Sequence, residues 1–217
     1  AQGSVIWGSS AMSRKGRVRR YGNDVIDSLP PLLQDWVHAI TSGDLTWAKE
    51  CASKDVDVNA RIDPYGGTAL FLAIELAQVS LIRWLVEEAH VDIEVVDYGG
   101  YNALDYVAAC GYHHSVGADT LDVASYLKAQ GLEYTWLGAC IAGDIDKIHE
   151  FIENGQDVNE RGGHFNKNGC QEALDNGQFW ASRFIMVKGG VVGVQPLFQQ
   201  LPDESQCEAL THGKLLK

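Results

Sequence analysis

With 217 residues, 46% of them hydrophobic and 21% charged, the chain has enough apolar material for a packed core and lacks the composition of a disordered polymer. Its formal net charge of −12 makes nucleic acid an unexpected partner, because phosphate binding rests on cationic contacts. Five cysteines without paired spacing speak against a disulfide framework and for a reducing, intracellular compartment, cytosol or organelle interior; the apolar run Ala69 to Ile74 is far too short to cross a bilayer.

Residues 1–28 read as a basic extended arm, in which Arg14, Lys15, Arg17, Arg19 and Arg20 place five positive charges within seven residues. Such a run is a solvated tail, a docking or targeting segment, or a contact to the acidic remainder of a second copy. The first methionine is Met12, and the sequence leaves open whether residues 1–11 are native. Pro30-Pro31 ends the arm, and Leu32, Leu33, Trp36, Val37 and Ile40 follow at helical spacing.

Further helices follow in pairs. Ala69 to Leu76, Ala103 to Cys110 and Trp136 to Ala142 are short first helices. Leu81, Ile82, Leu85 and Val86, and later Ile145, Ile148, Phe151 and Ile152, mark amphipathic second helices. Gly43, Ala77, Gly111 and Gly143 sit at equivalent turns, where glycine tolerates the left-handed conformation that ends a helix. Asp44 and Asp144 come next, placed to cap the following helix. Between pairs, Asp63-Pro64-Tyr65-Gly66 and Asp97-Tyr98-Gly99-Gly100 carry turn chemistry.

The pairs repeat. Trp36–Arg61 laid over Trp136–Arg161 gives nine identities in 26 positions, including Trp36/Trp136, Gly43/Gly143, Asp44/Asp144, Asn59/Asn159 and Arg61/Arg161. The offset of 100 is about three times 33, and Gly66-Gly67-Thr68-Ala69-Leu70 and Gly100-Tyr101-Asn102-Ala103-Leu104 mark two units between, 34 residues apart. A period near 33 signals a stacked solenoid.

Asp63-Pro64-Tyr65-Gly66-Gly67-Thr68-Ala69-Leu70-Phe71-Leu72-Ala73 resembles the D-x-x-G-x-T-P-L-H-x-A signature of the ankyrin repeat family, with Ala69 for Pro and Phe71 for His. Asp97 to Asp105 is a weaker copy, and Asp55-Val56-Asp57-Val58-Asn59 and Gly155-Gln156-Asp157-Val158-Asn159 resemble its G-A-x-V-N ending. The resemblance covers about 35–161. It implies an all-α, ankyrin-like helix-turn-helix solenoid of about four repeats, spanning 29–188 with 162–188 as a degenerate cap, followed by an irregular tail, 189–217. In that cap, Gly169 and Ala173-Leu174-Asp175 echo Gly100 and Ala103-Leu104-Asp105. The third unit carries about eight extra residues around Gly111–Asp119.

By the same resemblance, Asn59 and Asn159 bond backbone in the connecting hairpins, and partners bind at hairpin tips and on the concave face. The tips hold Asp63, Tyr65, Asp97, Tyr98 and Tyr101, and tyrosine suits an interface because it joins a rigid apolar ring to a hydroxyl. His113 and His114, in the long loop 111–119, are a second candidate contact.

Other candidates read as structural. Cys110, His113 and His114 fall short of the four ligands of a structural zinc site, so no metal and no cofactor is expected. Cys170 or Cys207 with His164 or His212 would make a Cys–His nucleophile, but no local signature supports one. Gly99-Gly100 and Gly162-Gly163 lack the Lys-Ser/Thr of a phosphate loop. Asp144, Asp146, Glu150 and Glu153 suit the solvated face of a helix, balanced in part by Lys147. The expected function is therefore non-catalytic protein binding, as a scaffold or accessory subunit of a larger assembly. A reversible regulatory adaptor is the alternative, and an enzyme built on the C-terminal segment a further one.

Overall fold

The computed structural model describes residues 23–110 and 122–192. The chain is all-α in these residues apart from one short hairpin. A brief α1 (Asn23–Ile26) leads into five helix pairs: α2 (Pro31–Ser42) with α3 (Leu45–Ala52), α4 (Ala69–Glu75) with α5 (Val79–Glu87), α6 (Ala103–Cys110) with α7 (Val123–Ala129), α8 (Trp136–Ala142) with α9 (Ile145–Glu153), and α10 (Gly169–Asp175) with α11 (Phe179–Val187). The first helices pack in series, α2 on α4, α4 on α6, α6 on α8 and α8 on α10. The core is therefore a continuous strip along the stack. Trp36, Ile40, Phe71, Leu72 and Leu104 are fully enclosed in it, and Phe71 stacks on Tyr106 across α4 and α6 with ring centroids 4.6 Å apart.

Local chemistry sets the helix ends. Pro31 occupies the first turn of α2, where a missing N–H costs nothing. Gly43 and Gly143 turn left-handed at φ 75° and 72°. Asp44 then accepts from Trp47 N at 2.9 Å, and Asp144 from Lys147 N at 3.1 Å. A side chain at either glycine would also strike the next unit, since Gln78 and Gln178 lie against the two turns.

The offset of 100 continues past Arg161. α4 and α10 begin at Ala69 and Gly169, and α5 and α11 span 79–87 and 179–187. Residues 162–188, read from the sequence as a degenerate last repeat, thus hold a complete helix pair. Asn168 caps α10 through a reciprocal capping box with Gln171, so Gly169 corresponds to Ala69 and Ala103, not to Gly100. Ala173-Leu174-Asp175 lie in the second half of α10, out of register with Ala103-Leu104-Asp105 at the start of α6.

The edges of the array also shift. Ile26, assigned to the arm, is 7% exposed and belongs to the core. Residues 189–192 of the expected tail run along the last unit, where Asn159 Oδ1 accepts from Val191 N at 2.9 Å and Asn159 Nδ2 donates to Gly189 O at 3.0 Å. Asn59 Oδ1 likewise accepts from Asp92 N at 2.9 Å, 33 residues on. Each asparagine therefore ties its own loop to the loop of the next unit, so its reach is one full repeat.

Candidate interaction surface at the hairpin tips

Two tips are built alike. Asp63 Oδ1 accepts from Tyr65 N and Gly67 N, both at 2.8 Å, and Gly66 N donates to Asp63 O at 3.1 Å. In the next unit Asp97 Oδ1 accepts from Gly99 N at 2.8 Å and Tyr101 N at 3.0 Å, and Gly100 N donates to Asp97 O at 3.0 Å. Gly66 and Gly100 have φ of 82° and 81°, which the turn requires. The third such tip is the antiparallel hairpin of β1 (Arg161–Gly162) and β2 (Lys167–Asn168), closed by a hydrogen bond from Arg161 Nη1 to Asn166 O at 3.1 Å.

Of the five tip residues expected to meet a partner, three are enclosed. Asp63 and Asp97 turn their carboxylates inward to close the turns and are 8% and 3% exposed, and Tyr101 is 5% exposed. Tyr65 is half-buried. Tyr98 alone of the five is open to solvent, at 72%. Its ring lies against Gly66 with the Arg61 guanidinium 5.7 Å from its centroid, and its N–H donates to Tyr65 O at 2.8 Å. Arg61 is held in turn by the carbonyls of Gly66 and Val96. Phe165 on the third tip is 50% exposed, with Lys167 Nζ 5.1 Å from its ring centre. His113, His114 and the long loop lie outside the described residues, as do residues 1–22 of the basic arm and residues 193–217.

Beneath the tips lies a polar cluster. Asp97 Oδ2 accepts from Tyr106 Oη at 2.7 Å and lies 2.7 Å from His164 Nε2. Burial pushes the Asp97 carboxyl up, but the bonds from His164, Tyr106 and Tyr101 outweigh it and hold the group below its ordinary range. An ionised carboxylate only accepts, so His164 carries a proton on Nε2. The imidazole sits among aromatic rings, 5.0 Å from Tyr65 and 5.6 Å from Tyr101 between centroids. Tyr101 Oη donates to Glu172 Oε1 at 3.3 Å, and burial raises both the Tyr101 phenol and the Glu172 carboxyl.

A second buried carboxylate, Asp105, joins the third and fourth units. It accepts from Asn102 N at 3.0 Å, Thr135 N at 3.1 Å and Thr135 Oγ1 at 2.8 Å. Burial nevertheless pushes it up to about 7.

Of the candidate nucleophile residues, Cys207 and His212 lie outside the described residues, and Cys170 and His164 each have other partners. Cys170 is fully buried with Sγ 3.2 Å from Ser182 Oγ, and burial raises its thiol. His164 is engaged by Asp97 instead. Cys110, at the end of α6, is partly exposed. No group of three potential metal ligands occurs among the described residues. On α9, Lys147 pairs with Glu133 at 2.6 Å and Glu150 at 3.0 Å, the balance expected of a solvated face.

Sequence reasoning noticed His164 only as a potential base. Its alignment was available, because the offset of 100 sets His164 on Pro64, at the apex of a tip. What it touches was not, since Asp97 lies two units away.

No protein-family model matches the chain, and no curated protein matches it in sequence. No helix among the described residues is long and apolar enough to cross a membrane.

Proposed function

We propose that this chain is a non-catalytic protein-binding array of ankyrin type, serving as a scaffold or accessory subunit of a larger assembly and contacting its partner through the hairpin tips. The observation that carries this reading is Tyr98. The residue is 72% exposed, yet its ring is seated on Gly66 with the Arg61 guanidinium 5.7 Å from its centroid. An exposed aromatic already held in place loses little rotamer freedom on binding, which is what an interface anchor needs. Val96 beside the same tip, at 43% exposure, and Phe165 on the β1–β2 hairpin, at 50%, add apolar area.

The test is the native mass of the species that carries this chain in its source. A stable particle of fixed stoichiometry, larger than 23.7 kDa and lost on Tyr98→Ala with the fold intact, supports the proposal. A chain migrating at its own mass defeats the subunit reading, and partner capture unaffected by Tyr98→Ala defeats the tip assignment.

A further inference from the structure

Three Asn-Gly steps occur in the chain: Asn154-Gly155, Asn168-Gly169 and Asn176-Gly177. Such a step is chemically labile. A glycine without a side chain lets its own amide nitrogen reach the side-chain carbonyl carbon of the asparagine before it. The fold treats the three steps differently. Asn168 is 1% exposed, and its side chain accepts from Gln171 N at 3.0 Å and donates to Val191 O at 2.7 Å. A Cβ on Gly169 would strike Cys140 and Trp136, so that step is held by packing as well as by bonds.

Asn154 and Asn176 form a matched pair. They follow α9 and α10 with φ, ψ of −82°, 6° and −93°, 6°, and each precedes a left-handed glycine, at φ 91° and 76°. Gly155 N donates to Ile152 O and Gly177 N to Leu174 O, both at 3.0 Å. Gln156 N then closes the first turn on Phe151 O, as Gln178 N closes the second on Ala173 O. The backbones are alike, and the side chains are not. Asn176 is half-buried, and its Nδ2 donates to Glu172 O at 2.8 Å. Asn154 and Gly155 are both exposed, and the Asn154 side chain is bonded to none of the described residues.

We propose that Asn154 is a deamidation site, the one of the three steps that reacts in the folded protein. Gly155 N bonds to Asn154 Cγ while the Cγ–Nδ2 bond breaks, and the Gly155 amide proton leaves with the side-chain amide as ammonia. Water then opens the cyclic imide at either carbonyl, leaving aspartate or isoaspartate. Fraying of the last turn, in which Gly155 N releases Ile152 O, is the only rearrangement required. The product places a carboxylate at the C-terminal end of α9, beside Glu150 and Glu153, where the helix dipole disfavours it. The site stands independently of what the tips bind.

Incubation of the folded full chain at mildly alkaline pH, followed by site-resolved peptide mapping, tests it. Asn154 should gain about one dalton and split into two products at least about tenfold faster than Asn168 or Asn176, whose steps must first be freed by a costlier opening. In urea all three should convert at comparable rates. Equal conversion in the folded chain, or faster conversion at Asn168 or Asn176, overturns the assignment. So does a folded chain in which no step converts while all convert in urea. Selection of Asn154 that persists in urea overturns it as well, since the cause would then lie in the flanking sequence and not in the fold. Asn154→Gln, whose longer side chain closes a ring far more slowly, should abolish the fast mass gain; a gain that persists places the reaction elsewhere.

Discussion

Replacing Gly138 with alanine should destabilise this protein, although the same change in most helices stabilises it. Gly138 lies inside α8, and a Cβ built there would stand 1.5 Å from Asp105 Oδ1 and 2.2 Å from its Cγ. Asp105 is 1% exposed and has no room to step aside without releasing Thr135, whose N–H and hydroxyl it accepts. At alkaline pH, where Asp105 is ionised, two hydrogen bonds to a charged acceptor contribute about 1.5–3 kcal/mol each, so about 3–6 kcal/mol is at risk. The better helix propensity of alanine returns about 1 kcal/mol. The net loss of about 2–5 kcal/mol is a large part of the roughly 5–15 kcal/mol that holds a domain together. Urea unfolding of the single variants Gly138→Ala and Asp105→Ala and of the double variant measures it. In the double variant the methyl enters space the carboxylate has left, so the two losses should be strongly sub-additive. A Gly138→Ala chain as stable as the unaltered one, or simple additivity in the cycle, would refute the close approach of Asp105 to α8.

Acid–base titration of stability gives a second test. Asp105 is pushed up to about 7 from an ordinary 3.8, so between those values the folded chain holds a proton that the unfolded chain has lost. Stability should fall as pH rises through this window, by at most about 1.4 kcal/mol per unit for this group, and Asp105→Asn should reduce the slope in denaturant melts. Glu172, also raised by burial, adds in the same direction. Asp97 acts oppositely and at lower pH: its contribution is present above the ordinary carboxylate range and is lost as pH falls through its depressed value. Gly143→Ala should cost about 1–2 kcal/mol from left-handed strain at φ 72°, plus displacement of Gln178, seen as a lower thermal midpoint. Tyr98→Ala should change unfolding stability by less than about 0.5 kcal/mol, whereas Tyr101→Ala should cost about 3–5 kcal/mol. Equal losses at the two tyrosines would mean that Tyr98 is as structural as Tyr101.

Residue spacing in the sequence marks four repeat units and places Ala69–Leu76, Ala103–Cys110 and Trp136–Ala142 close to where helices form. The bounds of α6 and α8, the left-handed Gly43 and Gly143 and the caps at Asp44 and Asp144 follow from spacing and backbone chemistry within a few residues. The repeat offset was legible from Trp36 to Arg161, but it fades over 162–188, where Ala73/Ala173, Gln78/Gln178 and Arg83/Arg183 are the identities that remain. The complete fifth pair therefore emerged only in space. Tertiary structure alone decided which tip side chains face water. Asp97 and Tyr98 are neighbours in one turn, yet one is 3% and the other 72% exposed. Four donors converge on the first from its own turn, α6 and the distant hairpin, while the second faces outward over Gly66. That convergence depends on the short connection before α8, which leaves no fourth tip between His164 and Asp97. A contact across two units has no local signature, because each partner alone satisfies the chemistry of an ordinary turn.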